Sequence, residues 1–479
     1  MMAEQLRHAP WLLVSVAAHA IALVLLWLLM PPVRARAKEN AVAVTLPDEV
    51  APVLPPPPVD PVPVVEPIEP TVVLDPVEVP VAAPDDAAAT SDVESREPAD
   101  AGTTLIGLNP IFHGGVPGRP GHPGGPGGGG GCPQKNIDAA LEWLARHQDG
   151  DGRWDCDGFM KHDVDGEPCD GPGNAVHDVG VTGLALLAML GDGNSLRQGR
   201  YRDQVRRATL WLRDQQQENG RIGGAAASDF VYDHAIATYA LCEAFGLSAY
   251  ETLRPTAQGA IDYLQAHRNP YGAWRYQPRD GDSDTSVTGW CVLAMCSGKH
   301  FGLQIDDNAL RLADTFLESC TSPDGQVGYR RAGELSARRP GKHGVLFPPE
   351  RTDALTAVGL FCRFFLGQDP AERPVMRGAA GRLQARVPSW DSKAGVIDFY
   401  YWYYGSYAMF QVGGPAWREW AKALGRAILP TQLTAGNAKG SWDPIDAWGE
   451  DGGRVYSTAI LALTLQVYYR YGRLVRAGR

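Results

Sequence analysis

The sequence predicts an all-α protein: a single α6/α6 toroid, a closed ring of helical hairpins, behind one transmembrane helix and a long disordered linker. Three observations predict this. Twenty residues without a formal charge run from Trp11 to Met30. A Pro-rich run and then a glycine tract fill the chain up to residue 131. Beyond them a helix-and-turn pattern recurs, alternating with apolar stretches that begin in small residues. The expected order is a short cytoplasmic N-terminus (1–9), a transmembrane helix (10–31), the linker (32–132) and the ring (133–475).

Twenty apolar residues match the hydrocarbon thickness of a bilayer. The competing reading is a cleaved signal peptide, since Ala35-Arg36-Ala37 has the small-x-small form of a cleavage site. Against it, the stretch is longer than a signal core and arginines crowd the cut. Ser15 and His19 are the polar members of the segment and share one helix face at i, i+4. A titratable group inside a bilayer is costly and marks a functional site by default. Arg34, Arg36 and Lys38 follow the segment and only Arg7 precedes it, so a bare count of positive charge would place the N-terminus outside.

Residues 41–83 (AVAVTLPDEVAPVLPPPPVDPVPVVEPIEPTVVLDPVEVPVAA) form an acidic Pro/Val-rich run that favours extended polyproline II. Residues 114–131 (GGVPGRPGHPGGPGGGGG) are nearly free of side chains and cannot build a core. Pro10-Trp11, the Ser15-Val16-Ala17-Ala18-His19 face and the Pro-rich run together resemble the N-terminus of TonB over about the first 80 residues. That resemblance implies an inner (cytoplasmic) membrane anchor with the N-terminus in the cytoplasm and the C-terminal domain in the periplasm. It also implies ExbB/ExbD-like proton-channel partners meeting Ser15 and His19. No TonB-like C-terminal domain follows.

The remaining chain has ordinary globular composition and is long enough to bury one sizeable core. The net charge is −11 and no Lys/Arg stripe alternates with aromatics, which argues against nucleic acid as a partner. The repeat begins with Trp143-Leu144, Gln148 and Gly152-Arg153-Trp154. It recurs at Trp211-Leu212, Gln216 and Gly220-Arg221-Ile222, then at Tyr263-Leu264, Arg268 and Gly272-Ala273-Trp274. A fourth copy has Phe316-Leu317, Thr321 and Gly325-Gln326-Val327, and an altered last copy ends in Gly440-Ser441-Trp442. Each reads as an amphipathic helix ending in a turn that needs Gly, followed by an aromatic able to pack back over the helix end.

Between the copies lie apolar stretches at 179–190, 234–245, 285–296, 354–366, 399–412 and 455–468, apolar nearly all round as buried helices are. Each opens on Thr or Ser beside Gly or Ala. Six outer helices alternating with six inner ones give the ring, and the partner of the fifth inner helix is expected within 371–390. The motif resembles the QW repeat of squalene–hopene cyclases and the repeats of protein prenyltransferase β subunits. The resemblance covers about 137–471, one ring where squalene cyclases have two.

In such a ring the N-termini of the inner helices gather at one mouth, where Asp178, Asp233, Asp282, Asp284, Asp353 and Asp398 are the candidate catalytic carboxylates. All but Asp282 stand at a helix start, where Asp is also a good cap. Candidate ligand-binding neighbours are His177, His234, Arg351, Trp290, Tyr400, Tyr403, Tyr404 and Tyr407, the tyrosines sharing a helix face. In the cyclases an Asp-x-Asp-Asp-Thr motif protonates an alkene; here Asp280-Gly281-Asp282-Ser283-Asp284-Thr285 breaks it in either alignment. The Asp-x-Cys of the prenyltransferase zinc site is absent. Cys156, His162, Cys169 and His177 fit no standard zinc spacing. In an oxidising periplasm a Cys156–Cys169 disulfide is expected in preference to zinc, and no cofactor is expected. Cys132 has no assigned role, whereas Cys242, Cys291, Cys296 and Cys362 read as small buried hydrophobes.

Three functions remain open: binding or processing of an apolar isoprenoid-type lipid, a non-enzymatic periplasmic binding or scaffold module coupled to a TonB-type system, and a carbohydrate-active enzyme. The last rests on fold analogy alone, because α6/α6 toroids also carry hydrolases and lyases.

Overall fold

The structure, a computed structural model, describes residues 133–470 except 165 and 340. The expected anchor with Ser15 and His19, the linker and Cys132 lie outside the described residues. Within them no helix is long and apolar enough to cross a membrane. The described residues form twelve principal helices and no strand, with two isolated bridges, Gln216 to Ile222 and Thr321 to Val327, inside motif turns.

The outer helices are α1 (Gln134–Arg146), α3 (Arg202–Asp214), α5 (Arg254–His267), α7 (Asp307–Ser319), α9 (Pro374–Ala385) and α11 (Gly414–Ile428). The inner ones are α2 (Asp178–Gly191), α4 (Val231–Ser248), α6 (Thr285–His300), α8 (Ala354–Phe365), α10 (Phe399–Val412) and α12 (Gly449–Leu465). Each inner helix packs on the next, α2 on α4 and so on to α12, and α12 packs back on α2. The ring is therefore closed. Helix α9 falls inside the window expected for the weakest copy.

The motif residues explain the closure. In α1's copy, Gln148 Nε2 donates to Gly152 O (2.9 Å) within its own turn and to Gln204 O (3.0 Å) on α3. Gln216 repeats this with Gly220 O (3.2 Å) and Thr256 O (2.9 Å) on α5. Gln432 takes the same place in the last copy, donating to Gly440 O and, across the seam, to Asn136 O on α1, both at 2.8 Å. One side-chain amide thus binds its turn and the next hairpin at once. The indole N–H of Trp154, Trp274 and Trp442 donates to Leu144 O, Leu264 O and Ile428 O (2.7–3.0 Å), tying the turn to a carbonyl at each helix end.

The small residues opening the inner helices also have a physical reason. Thr182 Oγ1 accepts the Trp154 N–H (2.9 Å), Thr288 Oγ1 the Trp274 N–H (3.3 Å) and Thr356 Oγ1 the Val327 N–H (3.2 Å). In the second copy His234 Nδ1 accepts the Ile222 N–H instead (3.0 Å).

At the seam Gly440 has φ +98°, and a Cβ there would collide with the Ala139 backbone of α1. Gly440→Ala should therefore cost about 1–3 kcal/mol in chemical denaturation. Gly436→Ala, at φ +64° but with open space around it, should cost about 1 kcal/mol.

Candidate functional site: the mouth of the ring

The centre of the ring is filled with aromatic side chains. Trp290 of α6 reaches past α8 to stack on Tyr403 of α10, with centroids 5.6 Å apart and planes 14° apart. It also meets the edge of Tyr404 (5.3 Å). Phe361 of α8 stacks on Tyr407 (5.4 Å), whose hydroxyl donates to Leu463 O on α12 (2.7 Å). Trp290, Tyr403, Tyr404 and Tyr407 are all buried. At the end formed by the C-termini of the inner helices, Arg470 donates to Leu187 O (2.9 Å) and pairs with Glu243, both buried. The candidate carboxylates lie at the other end, where the inner N-termini meet.

One side of that mouth is built around Asp284, which caps α6 by accepting the Val287 N–H (2.8 Å). Its other oxygen accepts the Tyr329 hydroxyl (3.2 Å), and Tyr329 shares a hydrogen bond with the Tyr276 hydroxyl (2.7 Å). Arg275 Nε lies 3.6 Å from the same oxygen, its guanidinium over the Tyr276 and Tyr329 rings. Burial outweighs these partners and pushes the Asp284 carboxyl up to about 7. Tyr232, half-buried, tilts against Tyr276 (6.2 Å), and Ser286 bonds the Tyr400 hydroxyl (2.9 Å).

Tyr400 leads to the second side through Trp448, with ring centroids 6.3 Å apart. There Asp398 caps α10 through the Tyr401 N–H (2.9 Å), pairs with Arg338 (2.6 Å) and accepts the Thr352 hydroxyl (3.0 Å). Asp446 accepts the Phe399 N–H (3.0 Å) and the Tyr456 hydroxyl (3.4 Å). Burial, helped by the charge of Asp398, pushes Asp446 up to about 8. Two carboxyls that hold protons near neutrality thus flank one aromatic floor.

The other expected site residues divide. Asp282 is half-exposed and paired with Arg275 beside Asp284. Asp178, in the first turn of α2, accepts the Cys156 N–H (2.8 Å) and Arg153 (3.0 Å), and burial pushes it up to about 6. His177 and Asp233 form a pair (3.0 Å) at the same end. Burial raises Asp233, and that carboxylate in turn raises His177 against the effect of burial. Three expectations need correction. Asp353 turns outward to Arg382 (3.2 Å) and Arg386 (2.9 Å) near α9, because those guanidiniums compensate its buried charge. His234 is spent on Ile222 N–H and Ala260 O between α4 and α5, and burial lowers it to about 3. Arg351 is exposed at the surface.

The expected Cys156–Cys169 disulfide is also absent, because the two thiols are held apart. Cys156 Sγ donates to the carbonyls of Asp451 and Gly452 (3.4 Å each), whereas Cys169 lies beside His147. Sequence reasoning missed Arg275, Tyr276, Tyr329, Tyr232, Arg338, Asp446, Trp448 and Tyr456. A signal existed for two of them: Tyr276 and Tyr329 each stand four residues after a motif glycine, Gly272 and Gly325.

Asp284 and Asp446 hold protons in the fold that they would release when unfolded, so the folded state binds more protons and stability falls with rising pH. For Asp284 that loss runs from its unfolded value near 4 up to about 7, and for Asp446 up to about 8. Asp284→Asn and Asp446→Asn should each flatten the fall of the unfolding free energy between pH 5 and 8, measured by chemical denaturation, by on the order of 1 kcal/mol or more.

No family model and no curated protein matches the chain. Solved structures similar to it include a type II terpene cyclase from Scytonema, 16% identical, covering 70% of this chain and 96% of that one, with a TM-score of 0.45. An α-1,6-mannanase from Salegentibacter is 11% identical over 70% and 97% of the two chains, with a TM-score of 0.47. An α-amylase from Clostridium perfringens is 10% identical over 70% and 98%, with a TM-score of 0.46.

Proposed function

We propose that the ring is an acid–base enzyme acting at its mouth on a polyhydroxylated, saccharide-type substrate, with Asp284 as the proton-transferring group. The observation that carries this reading is the filled centre. Trp290, Tyr400, Tyr403 and Tyr404 form a floor beneath the first turn of the inner helices, leaving no channel for a long apolar chain among the described residues. Above that floor the lining is Tyr232, Tyr276, Tyr329, Ser286, Trp448, Arg275 and Asp282, all half-buried. Flat rings beside hydroxyl, guanidinium and carboxylate groups are chemistry suited to a sugar, which offers apolar ring faces and hydroxyl edges.

Asp284 is suited to general acid–base work because its carboxyl changes protonation near neutral pH. Its side chain is itself fully buried, so in its protonated form it passes a proton to a leaving oxygen through the Tyr329 hydroxyl, while Arg275 stabilises the carboxylate that results. Asp398, paired with Arg338, supplies a second carboxylate on the far side of the floor. A second reading is favoured by the floor itself: Trp290 and its tyrosines present π faces that would attract an allylic cation, as an isoprenoid-type lipid would supply.

The N-terminal region supplies the location. We infer that Trp11–Met30 anchors the domain to the inner membrane with the ring in the periplasm, and that Ser15 and His19 meet an ExbB/ExbD-like channel protein. Replacing His19 with Ala should abolish co-purification of that partner; undiminished recovery would sink the inference.

The enzymatic reading is tested by incubating the full chain in detergent with a panel of oligosaccharides and, separately, with prenyl alcohols and diphosphates. Saccharide cleavage is expected, falling as pH rises through about 7 as the acid deprotonates. Asp284→Asn should reduce it by about 10²–10⁴-fold, and Tyr329→Phe, which removes the hydroxyl between Asp284 and the mouth, by a similar factor. A prenyl product in its place would establish the second reading, and neither binding nor turnover with any substrate would remove both.

A further inference from the structure

The loop joining α1 to α2 folds back on the C-terminal end of α1 and brings together three side chains that take no part in the ring mouth. His147 caps α1, and its Nε2 lies 3.1 Å from Asp163 Oδ1 and 4.0 Å from Cys169 Sγ. The three donor atoms all lie within 4.8 Å of one another, and all three side chains are buried. They come from loop positions 147, 163 and 169, which share no sequence periodicity.

The other ring nitrogen fixes what Nε2 can be. His147 Nδ1 lies 2.8 Å from the Trp143 carbonyl oxygen, which can only accept, so Nδ1 carries hydrogen. In a neutral imidazole Nε2 is then a lone pair, yet it faces a carboxylate oxygen that is also a lone pair. Moving the hydrogen to Nε2 only transfers the clash to the Trp143 carbonyl. A positive charge between Nε2 and Oδ1 removes it. An added proton would serve that pair alone, but Cys169 Sγ borders the same point, and imidazole, thiolate and carboxylate together are the ligand set zinc takes.

The geometry is close to what zinc requires. With bonds of about 2.0–2.3 Å to N, O and S, donors around a tetrahedral ion stand about 3.3–3.6 Å apart, and 3.1 and 4.0 Å bracket that range. The orientation is prepared as well. A metal-bound histidine usually donates its second N–H to a carbonyl, as His147 does to Trp143. Asp163 Oδ2 accepts the Cys169 N–H (2.6 Å), which leaves Oδ1 directed at the site. The other candidates named from sequence are engaged elsewhere: His162 on Asp149 (2.6 Å), His177 on Asp233 and Cys156 on the Asp451 carbonyl.

We propose that His147 Nε2, Asp163 Oδ1 and Cys169 Sγ bind one zinc ion, which pins the α1–α2 loop to the end of α1. A fourth position is left for water, as at other three-ligand zinc sites.

The test is metal analysis of the full chain, purified in detergent, loaded with zinc and dialysed against metal-free buffer. About one zinc per chain is expected, with Cys169→Ser and His147→Ala each losing most of it and Cys156→Ser keeping it. Because His147→Ala also removes the bond to Trp143, cobalt(II) is used as a second probe. The wild-type chain should show a thiolate-to-cobalt charge-transfer band that Cys169→Ser lacks while its far-UV circular dichroism is unchanged. Less than about a tenth of a zinc per folded wild-type chain would overturn the proposal, as would full zinc retention by Cys169→Ser or a cobalt spectrum without the thiolate band.

Discussion

Everything in the ring depends on the contact between one motif turn and the outer helix that follows it. A glutamine amide has two hydrogens, and Gln148, Gln216 and Gln432 spend them on two carbonyls, one in their own turn and one on the neighbouring hairpin. The turn glycine stands so close to that neighbour that a Cβ would meet backbone: Arg207 for Gly152, Gly259 for Gly220 and Ala139 for Gly440. Where the glutamine is replaced the tie changes form. Arg268 donates to carbonyls of its own turn and pairs with Asp306, the cap of α7 (3.8 Å), and the hydroxyl of Thr321 accepts from the buried Arg363 (2.8 Å). Repetition of this short-range rule sets the curvature, and the curvature brings the last copy to the first.

A ring of this kind need not enclose a cavity. Its inner wall bears bulky residues on α6, α8 and α10, and they interlock instead of standing apart. The consequence for chemistry is a change of address. The polar groups capable of proton transfer lie above the aromatic plug, at the level of the helix caps, where burial is deep enough to keep Asp284 and Asp446 protonated near neutrality but Tyr232, Tyr329 and Trp448 still reach the surface.

Much of this was legible in the sequence because it repeats. The six buried stretches and their Thr or Ser openings marked α2, α4, α6, α8, α10 and α12, and the need for glycine located the turns. The carboxylates were legible only as a class. Capping and catalysis both favour Asp at a helix start, so the sequence could not separate Asp284 and Asp398, which cap α6 and α10, from Asp353, which pairs with Arg382 and Arg386. Asp446 was hidden because residues 443–448 belong to no helix. His147 was hidden inside a motif already explained by its neighbours Trp143 and Gln148. The meeting of His147 with Asp163 and Cys169 is a property of loop folding, which carries no period to read.

The seam between Gln432 and Asn136 joins residues 296 positions apart. On a ribosome, the flank of α1 that receives this bond, and the face of α2 that receives α12, have no partner until nearly the entire domain has emerged. Every intermediate is an open arc with one unsatisfied edge at each end, and each edge offers the same kind of surface to another nascent chain. Bringing such distant segments together is slow. The last hairpin thus acts as a clasp, and synthesis in the cell has to protect the open arc from end-to-end association until it shuts.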